Sequence, residues 1–523
     1  MIMEEKRVKY AIGDQDFRSL REGECLYVDK TLYIDRIMNS GTKYYFLARP
    51  RRFGKSLFLS TLRYFFEGRR ELFKGLYIDS VDWDWEPYPV LHLDLNANKY
   101  DEIGKLDDVL DNLFRNWEKL YGIEVKDEDY SMRFKTIIKR AHERTGKPVV
   151  ILVDEYDKPL VGNLRRGERF EHYRTKLASL YSNFKSSAEH IKLVFMTGIS
   201  RFSKLSVFSD LNNLKDISFS DDFADICGIT ERELLDNFQQ GIMRLAHKRK
   251  VEPDMITELL KKNYDGYRFT PEGSDIYNPW SVLNAMDECR IGAYWNATGA
   301  ASIVAEALRD SDVDIEATLS AVWDFDDLAG LDLLNADPTA LLYQAGYLTI
   351  ADYDTDANTV RLKVPNEEVR KGLFKHLLPL YLKPKGSTAK SVIDGITRSV
   401  GRGKPDDMLK SLRAYFAGIP YDLKMDNENN FHNAFYILVT LIGLDAKAEA
   451  HTSDGRIDLL IETPDYVYVI ELKYDASADD ALRQIEDKAY ALQFEADGRK
   501  VFRIGVSFSS ETRRIEDWKI RGL

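Results

Sequence analysis

The stretch YYFLARPRRFGKSLFLSTL, Tyr44–Leu62, decides the fold. Its first five residues, Tyr44–Ala48, form an apolar run of the length and composition of a buried strand. A basic turn follows, with Arg49, Arg51, Arg52 and Lys55 gathered around Gly54. Leu57, Phe58, Leu62, Phe65 and Phe66 then recur at helical spacing. A strand, a Gly-Lys-Ser turn and a helix in that order make a phosphate cradle. Backbone N–H groups at the helix N-terminus face the anion. Lys55 is expected to reach the β- and γ-phosphates and Ser56 to ligate Mg²⁺. Arg51, Arg52 and Gly54 complete the expected cofactor-binding set for ATP, and Arg49, Arg51 and Arg52 are expected to add charge at the nucleotide or to face a partner. Arg49 stands where the GxxxxGK[ST] pattern has its first glycine, so this loop must turn by other means, with Pro50 fixing one φ.

Further strand-like runs, Val90–Leu95, Val149–Val153 and Ile191–Thr197, alternate with amphipathic helical patterns. Nearly continuous apolar runs of this kind suit parallel strands covered on both faces, so the spacing predicts an α/β doubly wound sheet. The run PVVILVDEYDKP (148–159) ends in Asp154 and Glu155, where such a sheet binds ligands. Asp154 is expected to hold the Mg²⁺ shell and Glu155 to orient and polarise the attacking water. The third run ends in Thr197, Ser200 and Arg201, candidates for sensing the γ-phosphate or an ordinary strand-end turn.

At 523 residues the chain is too long for one core. Its 86 acidic against 74 basic residues argue against a surface that coats polyanions, so any nucleic-acid contact must come from local patches. Cys25, Cys227 and Cys289 are too few and too scattered for a disulfide framework. The start MIMEEKRVKY lacks a signal-peptide core, and Ala434–Leu444 is too short to span a bilayer. A cytoplasmic protein with no membrane partner is the expectation.

A second constellation lies in GRIDLLIETPDYVYVIELKY (455–474). Two strand-like runs flank Thr463-Pro464-Asp465, a hairpin signal. Pairing Thr463 with Tyr466 puts Asp458 across from Glu471, with Cβ atoms about 5 Å apart. Lys473 shares the face of Glu471 because strand side chains alternate. Two facing carboxylates call for a cation, and Mg²⁺ takes carboxylate oxygens while stabilising the charge that develops in phosphodiester cleavage. Lys473 would position or deprotonate the attacking water. An ion-paired surface hairpin is the bland alternative.

In order along the chain, YYFLARPRRFGKSLFLSTL, LVDEYDKPL, FMTGISRFSKLSVFSDLNNLKDIS, YDGYRF and YNPWSVL resemble the AAA-ATPase-like proteins of bacteria and archaea, many of which carry a C-terminal PD-(D/E)XK nuclease-superfamily domain. The resemblance implies a P-loop ATPase core over 1–228, a helical lid-like region over 229–385, and a restriction-endonuclease-like α/β domain over 386–523. It makes Arg49 a family trait. Asp458, Glu471 and Lys473 match the acid, gap, (D/E)xK pattern, and Glu449 is either a further ligand or a solvated acid. Gln484 is similar to the helix glutamine of RecB-like nucleases, although Lys488 stands where their tyrosine would be. The expected function is ATP hydrolysis coupled to a Mg²⁺-dependent nuclease-like domain acting on DNA ahead of RNA. The alternative is a nucleotide-switched protein whose nuclease-like domain binds a partner without cleavage. The oligomeric state stays open.

Other features carry blander expectations. His92 reads as a satisfied core histidine, and Asp94 as either a nucleotide-facing or a turn-capping acid. Trp83, Trp85 and Tyr88 read as packing between domains. Tyr264, Tyr267, Tyr277 and Trp280 read as core, and His247–Lys250 as a solvated helix face.

Overall fold

The computed structural model describes residues 7–96, 98–124, 129–164, 166–200, 213–295, 321–329, 338–373, 388–417, 435, 445–452, 455–494, 498–512 and 514–522. The chain divides into two compact units, one built on Met1–Ile303 and Val322–Glu368, the other on Val304–Ala321 and Val369–Leu523.

The first unit opens with helices α1 (Phe17–Glu22) and α2 (Leu32–Asn39). Strand β1 (Tyr44–Ala48) leads through the basic turn into α3 (Lys55–Phe66), and β2 (Val90–Asp94) follows. Then come α4 (Lys105–Tyr121), α5 (Tyr130–Thr145), β3 (Val149–Asp154), α6 (Lys158–Val161), α7 (Gly167–Ser186), β4 (Ile191–Gly198) and β5 (Lys215–Asp216). The five strands form one parallel sheet in the order β2-β3-β4-β1-β5. All six residues of β3 are buried, as a strand with helices on both faces requires. The core on one face joins Phe114, Phe134, Ile137 and Phe184 to Leu91, Ile151, Val153 and Met196.

Helices α8 (Glu231–Asn237), α9 (Gln239–Arg249), α10 (Pro253–Tyr264) and α11 (Pro279–Glu288) make the helical middle, around Phe238, Leu245, Leu260 and Tyr264. A capping box of Thr230 and Glu233 starts α8, and Glu233 also pairs with Lys30 at 2.6 Å, which pins the middle to the N-terminal segment. Sequence periodicity did not separate out a three-stranded antiparallel sheet in this region, β6 (Val322–Asp324), β7 (Thr349–Asp354) and β8 (Thr359–Lys363), in the order β6-β8-β7. These strands are short, and β6 is mostly exposed, so the apolar signal is weak. The segment 383–388, whose Lys-Pro-Lys-Gly-Ser-Thr sequence reads as a linker, lies outside the described residues up to 387.

The second unit holds a five-stranded mixed sheet, β13-β12-β11-β10-β9, from β9 (Asp445–Thr452), β10 (Gly455–Glu462), β11 (Tyr466–Tyr474), β12 (Lys500–Ser509) and β13 (Arg514–Gly522). β11 and β12 are parallel and the other neighbours antiparallel. Helices Thr388–Gly401 and Pro405–Ala417 cover one face, where Tyr468 donates to Val400 O at 2.6 Å and Phe416 meets Phe508. Helix Ala478–Asp487 covers the other, its Leu482 and Ile485 packed with Val467, Val469 and Val501. It sits hard against Gly505, where a Cβ would lie 2.3 Å from Ala478 O and 2.6 Å from Leu482 N. Gly505→Val therefore displaces that helix and lowers unfolding free energy by about 3 kcal/mol. Gly401→Ala, at an open helix end, is neutral or stabilising by a few tenths. Urea melts of the two variants check this.

Candidate functional sites

The turn after β1 is held from every side. Gly54 caps α3 at φ 102°, a left-handed conformation, and nothing lies within 4 Å of where its Cβ would be. That open space lets a ligand approach the backbone. Arg49 does not face this space. It is 2% exposed, donates to Ala48 O, Ser218 O, Phe223 O and Ala224 O, and lies over the Phe269 ring at 4.4 Å. The expectation that Arg49 adds charge at a ligand or partner is thereby corrected: its guanidinium satisfies carbonyls of the segment after β5. Pro50 packs on Gly346, whose Cβ would come within 2.6 Å of it. Trp295 Nε1 donates to Arg51 O at 3.1 Å, Gly228 N donates to Phe53 O at 3.0 Å, and the Phe53 ring meets Tyr267 and Phe269 edge-on.

A cleft of about 350 Å³ opens above this turn, lined among others by Arg51, Arg52, Gly54, Lys55, Ser56 and Glu155. Lys55, 3% exposed, donates to Arg49 O at 2.9 Å and Pro50 O at 3.2 Å, and lies 3.4 Å from Glu155 Oε1. Glu155 itself has φ 51°, a strained geometry of the kind that collects at functional sites. Asp154 lies behind the cleft wall, buried, with Thr197 Oγ1 donating to its Oδ1 at 2.6 Å. Arg201 lies outside the described residues. The backbone N–H groups of Ile199 and Ser200 donate to Asp157 Oδ2.

Three cleft features escaped the sequence reading. Trp280 packs, partly buried, against the core of the middle region and also lines the cleft, with the Arg52 guanidinium 4.0 Å from its ring centre. Lys158 joins the wall and donates to Asn96 O and Oδ1. Asp157 is fully buried beside them, and burial, then the Glu155 charge, pushes its carboxyl up to about 7. The DEYDK run advertised these last two only as more charge, without their direction. Among the bland readings, Trp83, Trp85 and Tyr88 pack on Phe65, Phe66 and Phe73 inside the first unit, not between domains. His92 is half-buried, and its Nε2 has no partner among the described residues, so it is not a satisfied core histidine. Asp94 accepts from Asn96 N as a turn cap.

In the second unit the turn closes as its residues dictate, with Thr463 N donating to Tyr466 O at 2.8 Å. The register runs Ile461–Tyr468, Leu460–Val469 and Leu459–Ile470. One step further sets Asp458 across from Glu471. On the other side Ile457 faces Ala450 and Leu459 faces Ala448, so Glu449 takes the position opposite Asp458 on β9. Glu471 is 1% exposed, its Oε1 lies 3.3 Å from Lys473 Nζ, and its Oε2 has no partner among the described residues. Asp458 Oδ2 accepts from Leu472 N at 2.7 Å. Burial, then the Asp458 carboxylate, drives the Glu471 carboxyl up to about 7 against the pull of Lys473. A buried carboxylate oxygen with no donor, beside a second carboxylate, is a donor set that suits a hard divalent cation. Among the described residues no cluster of three or more His, Cys, Asp or Glu side chains is placed to hold a metal. Gln484 is half-buried on helix Ala478–Asp487, and Tyr490 packs in the core below it.

Two outcomes follow. Arg49→Gly, which restores the usual loop glycine, orphans buried carbonyls and costs about 3 kcal/mol in a thermal or urea melt. The Glu471 carboxyl is raised from 4.5 to about 7, so folding favours its protonated form. In metal-free protein its contribution is therefore fully present below pH 4.5 and is lost as pH rises through 7, by about 3 kcal/mol. Glu471→Gln flattens that part of the pH–stability profile.

Family models match the two regions that hold these geometries: "Predicted AAA-ATPase" over residues 11–208 and "PD-(D/E)XK nuclease superfamily" over residues 426–518. Among the described residues no helix is long and apolar enough to cross a membrane. The chain is also 34% identical, over 529 residues and 99% of both chains, to the "Uncharacterized protein in vnfD 5'region" of Azotobacter chroococcum mcd 1. The chain belongs to the AAA-ATPase-like proteins with a C-terminal PD-(D/E)XK nuclease-superfamily domain.

Proposed function

We propose that the protein binds and hydrolyses ATP in the first unit and cleaves DNA with Mg²⁺ in the second, nucleotide state governing access to the cleaving site. The observation that carries this reading is the pair of matched arrangements, Lys55 with Glu155 and Asp458 with Glu471, each at a strand end or centre where phosphate chemistry is feasible.

In the first unit Lys55 exchanges its carbonyl partners for β- and γ-phosphate oxygens, and the α3 N-terminus with Gly54 gives backbone donors. Arg51 and Arg52 add positive charge at the cleft. The adjoining apolar pocket of about 100 Å³, which shares Ala11, Gly54, Leu57 and Leu283 with the cleft, suits the nucleoside end. Ser56 and Asp154 would hold Mg²⁺, which screens the triphosphate charge. Glu155 orients the attacking water and accepts its proton.

In the second unit Asp458 and Glu471 would hold Mg²⁺, which supplies charge stabilisation for the phosphodiester. Lys473, 3.3 Å from Glu471, orients the water on the same face of the sheet. DNA is the substrate class proposed because Asp458, Glu471 and Lys473 lie in the region matched by the PD-(D/E)XK nuclease superfamily, where a Mg²⁺ between the carboxylates would supply the positive charge that a phosphodiester meets.

Plasmid DNA incubated with Mg²⁺, with and without ATP, tests the reading. Lys55→Ala is expected to lose ATP binding at least 100-fold. Asp458→Ala is expected to abolish cutting while ATP hydrolysis stays within twofold of the parent. Intact plasmid under every divalent metal, with ATPase present, would favour a nucleotide-switched binding protein instead.

A further inference from the structure

A second cavity, of about 240 Å³, adjoins the proposed nucleotide cleft, and Arg51, Glu155 and Lys158 line both. These three residues are the partition between the two spaces. The volume equals about eight liquid waters at roughly 30 Å³ each, enough for a tetrahedral oxyanion with some of its hydration.

The charge of this cavity is lopsided. Arg51, Lys99, Lys158, Arg166 and Arg169 line it, against Asp101, Glu155 and Asp157. Of those acids Glu155 is already paired with Lys55. Asp157 accepts the Ile199 and Ser200 N–H groups through Oδ2, and its burial holds the carboxyl toward the neutral form. Its Oδ1 is buried with no partner among the described residues, so a protonated carboxyl has a donor to spend on an anion. Cations therefore outnumber acids five to three on this lining, and two of the three acids already have partners.

The cations are also placed by the backbone. The twenty-residue helix α7 begins at Gly167, which sets Arg166 at its N-cap and Arg169 in its first turn. Arg169 donates to Asn163 Oδ1 at 3.3 Å, and Asn163 is anchored by donating to Tyr100 O and Pro159 O at 2.8 Å. Arg169 is therefore held at the wall rather than free in solvent, and it keeps further donors for a ligand.

We infer that this cavity binds orthophosphate, the product released across Glu155 from the nucleotide. The inference rests on the proposed ATP hydrolysis. There a water oxygen bonds to the γ-phosphorus, and the bond from that phosphorus to the β–γ bridging oxygen breaks. The diphosphate keeps that oxygen, and Glu155 takes the proton. In-line displacement moves the new orthophosphate toward the water's side, which is the Glu155 side. Arg51 and Lys158, lining both spaces, lead it into the second cavity, so orthophosphate leaves by a path the diphosphate does not block.

Equilibrium dialysis of radiolabelled orthophosphate, with excess ADP and Mg²⁺ present, tests this on the full chain. The parent protein is expected to take up one orthophosphate per chain. Arg166→Ala/Arg169→Ala weakens that uptake at least tenfold, and Arg166→Glu, an exposed charge reversal that spares the fold, does so too. ADP affinity stays within twofold in both. Lys55→Ala, dialysed without nucleotide, still takes up orthophosphate at this cavity. Uptake that vanishes with Lys55→Ala, or that ignores both arginine variants, overturns the inference. A separate ADP titration of the parent keeps the two ideas apart: absent ADP binding sinks the nucleotide reading, and the arginine dependence of orthophosphate uptake in Lys55→Ala still decides the cavity.

Discussion

Burial of the Arg49 guanidinium is the constraint on which the first unit depends. A buried arginine must find acceptors for its five donors or lose several kcal/mol. Here the carbonyls of Ala48, Ser218, Phe223 and Ala224 accept from its two terminal nitrogens, the Phe269 face lies against it, and Nε alone of its nitrogens has no partner among the described residues. That arrangement ties β1 to the segment after β5 and to the middle region in one step. Pro50, Arg51 and Phe53 are then each fixed by a different partner, Gly346, Trp295 and Gly228. A glycine-rich phosphate loop owes its shape to backbone freedom. This loop owes its shape to neighbours far along the chain, with Gly54 the one position where a positive φ and open space are both required.

Both candidate sites use the same electrostatic device. Each holds a carboxyl driven up to about 7 by burial and by a second acid close by: Asp157 with Glu155, and Glu471 with Asp458. In each a lysine partly relieves the strain, Lys55 in the first and Lys473 in the second. Carboxyls poised this way cluster where chemistry is done, because a group that stores unfavourable charge is ready to take a proton or a cation. The fold keeps them in place with rigid elements. β3 is buried along its whole length, and β11 lies between two strands beneath a helix that touches Gly505.

Much of this was legible in the chain because it rests on local rules. Continuous apolar runs announced the parallel strands, and Thr463-Pro464-Asp465 set the turn that brings Asp458 opposite Glu471. Lys55 and Glu155 were visible as residues at the ends of strands, and the structure places them 3.4 Å apart. What stayed hidden depended on distant partners. Nothing near Arg49 tells that three of its four acceptors lie about 170 residues on. Trp280 packs against the core as a tryptophan in a helical pattern usually does, but nothing local tells that it also lines the cleft beside Arg52. Trp83 and Trp85 chose Phe65 and Phe73 over another domain, a matter of chain geometry that composition does not encode. The strands β6–β8 are too short and too exposed to stand out from the helical patterns around them.

The most direct measurement is a crystal structure of the full chain with a non-hydrolysable ATP analogue and Mg²⁺. A loop gripped from outside should keep its backbone path, with Arg49 still on its carbonyls, while Lys55 Nζ leaves Arg49 O and Pro50 O for the β- and γ-phosphates. A triphosphate bound elsewhere, with Lys55 unmoved, would contradict the account.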